Sequence, residues 1–273
     1  FKRNWETENM RRTIDYFQKT CDQDMKIAML TAYDYTSASI VEKSGIEIIL
    51  VGDSLGQVVL GYDSTIPVTI DDMIRHIQMV VRGTQNTHIV GDLPFMSYQV
   101  SIDEALRNAG RLLKEGGCQS VKLEGGAACQ ETVSAIVTSG IPVMGHIGLT
   151  PQSVNQLGGY RVRGKTEDEA DQLIADAIAL EEAGAYSIVL ELIPSRLASQ
   201  ITSRVNIPTI GIGAGPNCSG QVQVFHDILG LFPDFAPRHA RRYSELGAEV
   251  QTAVSKYIAD VKSGDFPSIA ESS

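Results

Sequence analysis

Residues 46–53 read Ile46-Glu47-Ile48-Ile49-Leu50-Val51-Gly52-Asp53, and three later stretches repeat the pattern. They are His88-Ile89-Val90-Gly91-Asp92, Ser120-Val121-Lys122-Leu123-Glu124 and Ser187-Ile188-Val189-Leu190-Glu191. Each is rich in Val, Ile and Leu, free of Pro, and closes on a carboxylate, as a buried strand would if it ended in a polar site. An acid at the end of a buried strand is costly unless it binds something. Four such acids, separated by helical stretches, predict one acidic site at the mouth of a parallel barrel.

Working outward, strand and helix signals alternate along the chain. Strands are predicted at 26–31, 46–52, 88–92, 120–124, 142–146, 187–191 and 208–213, with an eighth near 221–226. Ser101-Ile102-Asp103-Glu104 and Thr166-Glu167-Asp168-Glu169 are capping-box patterns that announce helices, and Pro194 suits a first helical residue. Eight strand–helix units predict an α/β fold, a (β/α)8 TIM barrel. The rival doubly wound sheet lacks its phosphate loop, because Thr31-Ala32-Tyr33-Asp34 follows the first strand where G-x-G-x-x-G would stand. The 273 residues suit one barrel of roughly 250 residues. The expected organisation is a single domain over 1–273, with an N-terminal helical arm at 1–25 and a C-terminal helix at about 238–264. The longest loops, 61–69 and 149–165, follow strands and would cover the active face.

Net charge of -10 argues against nucleic acid and anionic membranes as partners. The densest basic cluster, Arg238, His239, Arg241 and Arg242, reads as a solvated face or subunit contact. No apolar run is long enough to span a bilayer. Cys21, Cys118, Cys129 and Cys218 show neither metal-ligand spacing nor a disulfide framework, which fits a reducing compartment. The expected location is cytoplasmic, or mitochondrial for a eukaryotic homologue with its presequence removed.

Strand side chains alternate faces, so Lys122 and Glu124 share one face. The same parity pairs Val51 with Asp53, Val90 with Asp92 and Met144 with His146. Oxygen ligands without clustered Cys or His point to a hard cation such as Mg²⁺, with Asp53, Asp92 and Glu124 as its donors. Lys122 would hold an anionic group of the substrate, and Ser54 could add a hydroxyl and a backbone N–H. The competing reading is a structural salt-bridge network around Lys122, although buried ion pairs alone seldom offset their desolvation. Glu191 follows a purely apolar run, where burial would raise its pKa and suit it to act as a general base. Its alternative role is to cap the helix at Pro194. His146 could donate a hydrogen bond in the site or satisfy a core carbonyl. Gly211-Ile212-Gly213-Ala214-Gly215 could bind phosphate or simply pack tightly.

Several of these segments, with their neighbours, resemble ketopantoate hydroxymethyltransferase. They are Leu30-Thr31-Ala32-Tyr33-Asp34, Val51-Gly52-Asp53-Ser54-Leu55-Gly56, Val90-Gly91-Asp92-Leu93-Pro94-Phe95 and Val121-Lys122-Leu123-Glu124-Gly125-Gly126. Met144-Gly145-His146-Ile147-Gly148-Leu149-Thr150-Pro151-Gln152 and Gly211–Gly215 complete the series, in order from about Lys26 to Asp227. The resemblance implies a barrel related to the phosphoenolpyruvate mutase and isocitrate lyase group. It implies hydroxymethyl transfer from 5,10-methylenetetrahydrofolate to 3-methyl-2-oxobutanoate, giving 2-dehydropantoate on the way to pantothenate and coenzyme A. By motif, Asp53, Asp92 and Glu124 would serve Mg²⁺. Asp53, Ser54, Asp92, Lys122 and His146 would line the oxo-acid site, and Glu191 would accept the proton. It also implies a homo-oligomer, a multi-subunit ring such as a decamer. The alternatives are a Mg²⁺-dependent C–C or P–C lyase of the related group, which usually carries a catalytic Cys in a loop, and an inactive barrel acting as a scaffold.

Overall fold

The computed structural model describes residues 10–232 and 236–272. By contact density the chain divides into two compact units, one ending at Val222 and the other starting at Gln223. Residues 1–9 of the predicted N-terminal arm lie outside the described residues; the rest of the arm carries the helix Ile14–Asp22.

The first unit is built on a closed barrel of parallel strands in sequential order. These are β1 (Ile27–Thr31), β2 (Ile48–Val51), β3 (His88–Asp92), β4 (Ser120–Glu124), β5 (Val143–Gly148), β6 (Ser187–Glu191), β7 (Thr209–Ile212) and β8 (Gly220–Gln223). β8 begins earlier than the sequence suggested, and His226 falls in the short helix Phe225–Ile228 instead. Gly220 lets the barrel close, because a Cβ there would lie 2.5 Å from the Ile27 carbonyl oxygen. The expected TIM barrel is therefore observed, in strand order and in closure.

Every second residue of the strands points inward. Ile27, Met29, Ile48, Leu50, Val90, Met144, Val189, Ile210, Ile212 and Val222 form one buried cluster, with Phe17 of the first helix packed into it. Ile48 and Leu50 thus take the interior of β2, which corrects the predicted parity of Val51 with Asp53. Asp53 stands beyond the strand end, where the chain turns, and it enters the mouth through that turn.

The helix starts are simpler than their sequence patterns. Ser101 and Thr166 accept the N–H groups of Glu104 and Glu169. Glu169 does not return the bond to Thr166; its carboxylate accepts from Gly164 and Lys165 instead. Pro194 is the residue before the helix Ser195–Thr202, not its first.

In the second unit the long helix runs Leu246–Ser263, starting later than predicted. The preceding segment is bound elsewhere: Tyr243 and Leu246 donate to the carbonyls of Ile228 and Leu229, and Arg242 donates to that of Phe232. Val250, Val254, Ile258 and Val261 make an exposed stripe on this helix. Among the described residues no helix is long and apolar enough to cross a membrane.

The N-terminal end of the barrel is sealed by a polar chain under the apolar layer. His88 Nδ1 lies 2.8 Å from the Arg12 carbonyl and Nε2 lies 2.8 Å from Ser120 Oγ, which is 3.0 Å from Tyr186 Oη. The network assigns a neutral ring that donates at Nδ1 and accepts at Nε2. Phe17 meets that ring edge-on at 5.2 Å. Burial is the main reason the His88 pKa falls to about 4, against the opposing hydrogen bond to Arg12. The unfolded chain therefore binds the extra proton more readily between about pH 6.5 and about 4. His88 should contribute up to about 3 kcal/mol above that window, lost as pH falls through it. Urea unfolding across pH should show this slope in the native chain and a shallower one in His88→Gln; equal slopes would contradict the assignment.

Candidate active site

Parallel register brings the inward polar side chains together at the C-terminal ends of the strands, the face where barrel sites form. Asp92 of β3 stands beside Lys122 of β4, and Glu124 of β4 stands beside His146 of β5. Lys122 Nζ lies 2.8 Å from Asp92 Oδ1 and 3.2 Å from His146 Nδ1. Asp92 Oδ2 accepts the Asp53 N–H at 3.2 Å. His146 Nε2 lies 3.1 Å from Glu191 Oε2, and Nδ1 lies 3.6 Å from Glu124 Oε1. Asp53, Asp92, Lys122, Glu124 and His146 are all buried. Glu191 is less enclosed than its apolar run suggested, with its side chain 16% exposed toward the mouth.

The Glu191 backbone is held in an unusual way. Leu149 N–H donates to its carbonyl at 2.8 Å, and a Cβ on Gly148 would overlap that oxygen. The next residue, Leu192, has φ of 45°, a left-handed conformation that L residues rarely adopt without support. Its support is two backbone bonds of 2.9 Å, to Ile212 and from Arg163. Glu191 does not cap the following helix, which has no side-chain cap. Arg163 thus ties the long loop to the end of β6 through its backbone, and its side chain pairs at 3.0 Å with Glu169 in the first turn of the helix Glu167–Glu182.

Ser54 follows Asp53 in the same turn, and its Oγ lies 2.8 Å from Tyr33 Oη. Two buried residues outside the predicted set complete the centre. Gln152 Nε2 donates to Asp53 Oδ2 at 2.9 Å, and its backbone N–H donates to Glu124 Oε2 at 3.0 Å. Tyr98 Oη lies 2.8 Å from Gln152 Oε1 and 2.9 Å from the Glu124 carbonyl. The available signal for Gln152 was its position: Pro151 opens a short turn directly after β5, inside the loop expected to cover the mouth.

The electrostatics are dominated by crowded acids. Burial, offset by Lys122 and reinforced by Asp53, pushes Asp92 up to about 7. Burial, likewise opposed by Lys122 and reinforced by Asp53 and Asp92, pushes Glu124 well above the usual carboxylate range. Burial alone would lower Lys122, but the charges of Asp92, Glu124 and Asp53 carry it above its ordinary value. Burial and then Lys122 hold His146 below its usual value, so its ring is neutral near pH 7. A neutral ring accepting from Lys122 at Nδ1 places its proton on Nε2, facing Glu191.

The group suits a hard cation. Asp92 Oδ1, 2.8 Å from the Lys122 ammonium, and His146 Nε2, 3.1 Å from Glu191 Oε2, are both buried without a well-directed hydrogen bond. The acids repel one another, and a divalent ion would relieve that repulsion. Among the described residues no group of three or more His, Cys, Asp or Glu side chains is placed to hold a metal ion, so Asp53, Asp92 and Glu124 do not converge as a three-ligand set. That is compatible with Mg²⁺, which binds through one or two carboxylates and fills its remaining positions with water and substrate oxygens.

The cysteines do not form a nucleophilic centre. Burial pushes the Cys118 thiol up to about 12 and also raises that of Cys129. A cleft of about 550 Å³ lies between Gly164 and Pro194 and is lined by Lys165, Arg196 and Arg204, with Glu167 and Asp171 among them.

The buried pair yields a direct expectation. Lys122→Met leaves the Asp92 carboxylate among other acids, and breaking a buried pair in this way costs about 3–5 kcal/mol. Denaturant unfolding above pH 7 should show that loss, and it should shrink as the pH is lowered through about 7 and Asp92 takes up a proton. A loss independent of pH would contradict a charged pair.

Comparison with known proteins gives a consistent picture. A family model described as ketopantoate hydroxymethyltransferase matches residues 11–269. A Chloroflexus aurantiacus protein named 3-methyl-2-oxobutanoate hydroxymethyltransferase is 58% identical over 264 residues, covering 97% of this chain and 93% of the relative. A Dehalococcoides mccartyi protein of the same name is 57% identical, covering 96% and 93%. Among solved structures, a phosphoenolpyruvate phosphomutase from Streptomyces platensis subsp. rosaceus aligns with a TM-score of 0.63 at 12% identity, covering 93% of this chain and 88% of that one. A 2,3-dimethylmalate lyase of the PEP mutase/isocitrate lyase superfamily aligns with a TM-score of 0.60 at 16% identity, covering 94% and 89%. At those identities the two structures establish a shared fold only.

Proposed function

The chain belongs to the ketopantoate hydroxymethyltransferase family, and from that premise we propose that the barrel mouth transfers a hydroxymethyl group from 5,10-methylenetetrahydrofolate to 3-methyl-2-oxobutanoate. The product is 2-dehydropantoate, on the route to pantothenate and coenzyme A. The observation that carries the residue roles is the chain Lys122–His146–Glu191. One neutral imidazole, 3.2 Å from the ammonium and 3.1 Å from the carboxylate, holds a basic group beside an electrophilic centre without letting the two neutralise each other.

Asp53 and Asp92 would hold Mg²⁺, with Glu124 beside them. When bound, Mg²⁺ would polarise the keto group and stabilise the negative charge that grows on its oxygen. Lys122, whose ammonium already faces Asp92 and His146, has a third donor for the anionic oxo acid. The Ser54 hydroxyl stands on the same turn as Asp53 and orients the substrate from the β2 side. Glu191, at the rim of the buried layer, takes the C3 proton, and the carbon it leaves attacks the methylene carbon of the folate; water then supplies the hydroxyl oxygen as the bond from that methylene to the folate nitrogen breaks, and tetrahydrofolate leaves. His146 orients the Glu191 carboxylate. The loop carrying Gln152, attached to the end of β6 by the Arg163 N–H bond to the Leu192 carbonyl, shields the deprotonated C3 carbon from premature protonation. The exposed apolar stripe of the helix Leu246–Ser263 supports assembly into a homo-oligomer.

The lyase reading is not favoured. The lyase and mutase neighbours share the fold at 12–16% identity, whereas the transferases share 57–58% of residues.

Two variants test the residue roles. Glu191→Gln should retain oxo-acid binding in calorimetry with Mg²⁺ present, while 2-dehydropantoate formation, followed by mass spectrometry, falls by roughly 10²–10⁴-fold. Retained turnover would move the base elsewhere. Asp92→Ala should raise the Mg²⁺ concentration needed for half-maximal activity; an unaltered metal response would leave Asp92 a structural role.

A further inference from the structure

The Gln152 side chain and backbone reach two different acids of the centre. The Nε2 group donates to Asp53 Oδ2 and to the Leu93 carbonyl, each at 2.9 Å, and the backbone N–H donates to Glu124 Oε2 at 3.0 Å. Asp53 lies after β2, Leu93 after β3 and Glu124 at the end of β4, so one residue from the loop after β5 spans three other strand ends. Gln152 is 3% exposed, which makes these bonds hard for water to replace.

The orientation of the amide is itself determined. Oε1 faces Tyr98 Oη at 2.8 Å and Gln99 Nε2 at 3.3 Å. A flipped amide would turn its oxygen toward the Asp53 carboxylate and the Leu93 carbonyl, both acceptors, and would lose both donors. Tyr98 is buried and also receives the Glu124 N–H at 3.2 Å. Tyr98 and Gln152 therefore form a fixed frame behind the acids.

We propose that Gln152, oriented by Tyr98, is a positioning residue that fixes Asp53 and Glu124 relative to one another for the divalent cation. This rests on the reading of the acidic centre as a Mg²⁺ site. The physical reason is that each acid has two oxygens and several ways to turn. Where neighbouring carboxylates repel, an unconstrained pair would swing apart. A neutral amide can hold one oxygen of Asp53 without adding charge that would compete with the ion. A lysine in its place would satisfy the same oxygen but would expel the cation. The backbone N–H holds Glu124 in the same way, so the side-chain and main-chain bonds of one residue set the spacing of both acids.

The test is binding of Mn²⁺, used as the probe ion, to the full chain without substrate, by calorimetry and electron paramagnetic resonance. Gln152→Met keeps the side-chain length and the backbone bond to Glu124 but removes both amide donors. Tyr98→Phe keeps Gln152 but removes the hydroxyl that orients it. Loss of such outer-shell partners typically costs 10–100-fold in metal affinity. Gln152→Met should show a loss in that range, and Tyr98→Phe a smaller one in the same direction. The Mg²⁺ requirement for turnover should rise in parallel, with kcat at saturating Mg²⁺ less affected. Should Gln152→Met not fold, Tyr98→Phe decides alone. Native Mn²⁺ affinity in the folded variants overturns the positioning role while leaving the metal site standing. Failure of the unsubstituted chain to bind Mn²⁺ overturns both.

Discussion

The contact between Lys122 and Asp92, 2.8 Å apart and sealed from solvent, is the interaction on which the mouth of this barrel depends. A lone buried carboxylate would protonate, and a lone buried ammonium would lose its proton. Paired, they can remain charged, and Asp53 and Glu124 are drawn into the same field. The pair does not balance the group, since acids outnumber the ammonium that touches them. Such an arrangement is poor as a stability device. It makes physical sense as a receptor for added positive charge, with Lys122 left to meet an anion.

Backbone geometry explains why these groups meet. In a parallel barrel, adjacent strands place residues of equal register side by side, so Asp92 meets Lys122 and Glu124 meets His146 without any special loop. Glu191 is reached differently. Gly148 allows the end of β5 to press against the Glu191 carbonyl, and left-handed Leu192 turns the chain away immediately afterwards. The strain sits at Leu192, next to the residue proposed as the base, where a defined carboxylate direction has chemical value.

Much of this was legible in the sequence because buried parallel strands are nearly pure apolar runs, and a terminal acid marks where each run stops. β3, β4 and β6 begin and end on the residues that such a reading predicts. β2 shows the limit. Alternation counted through Gly52 to Asp53 assigns the wrong partner, because the strand ends at Val51 and a turn restores Asp53 to the interior. Gln152 was legible only as part of a loop over the mouth, and neither its role nor that of Tyr98 could be read. A neutral amide in a loop looks like any solvated glutamine until the fold carries it inward. The delayed start of the terminal helix has a similar cause: Tyr243, Arg242 and Leu246 are committed to carbonyls of the preceding segment, a tertiary competition that helical periodicity does not register.

The central chemical claim is that a base at Glu191 and a cation at the acidic centre act on the same carbon of one small oxo acid. Proton NMR of 3-methyl-2-oxobutanoate with the enzyme in D₂O, with Mg²⁺ and after its removal by chelation, and with no folate present, addresses that claim directly. Loss of the C3 proton signal that requires both enzyme and Mg²⁺ is the predicted result. A C3 signal that persists with Mg²⁺ present, or that exchanges equally well after chelation, would contradict it.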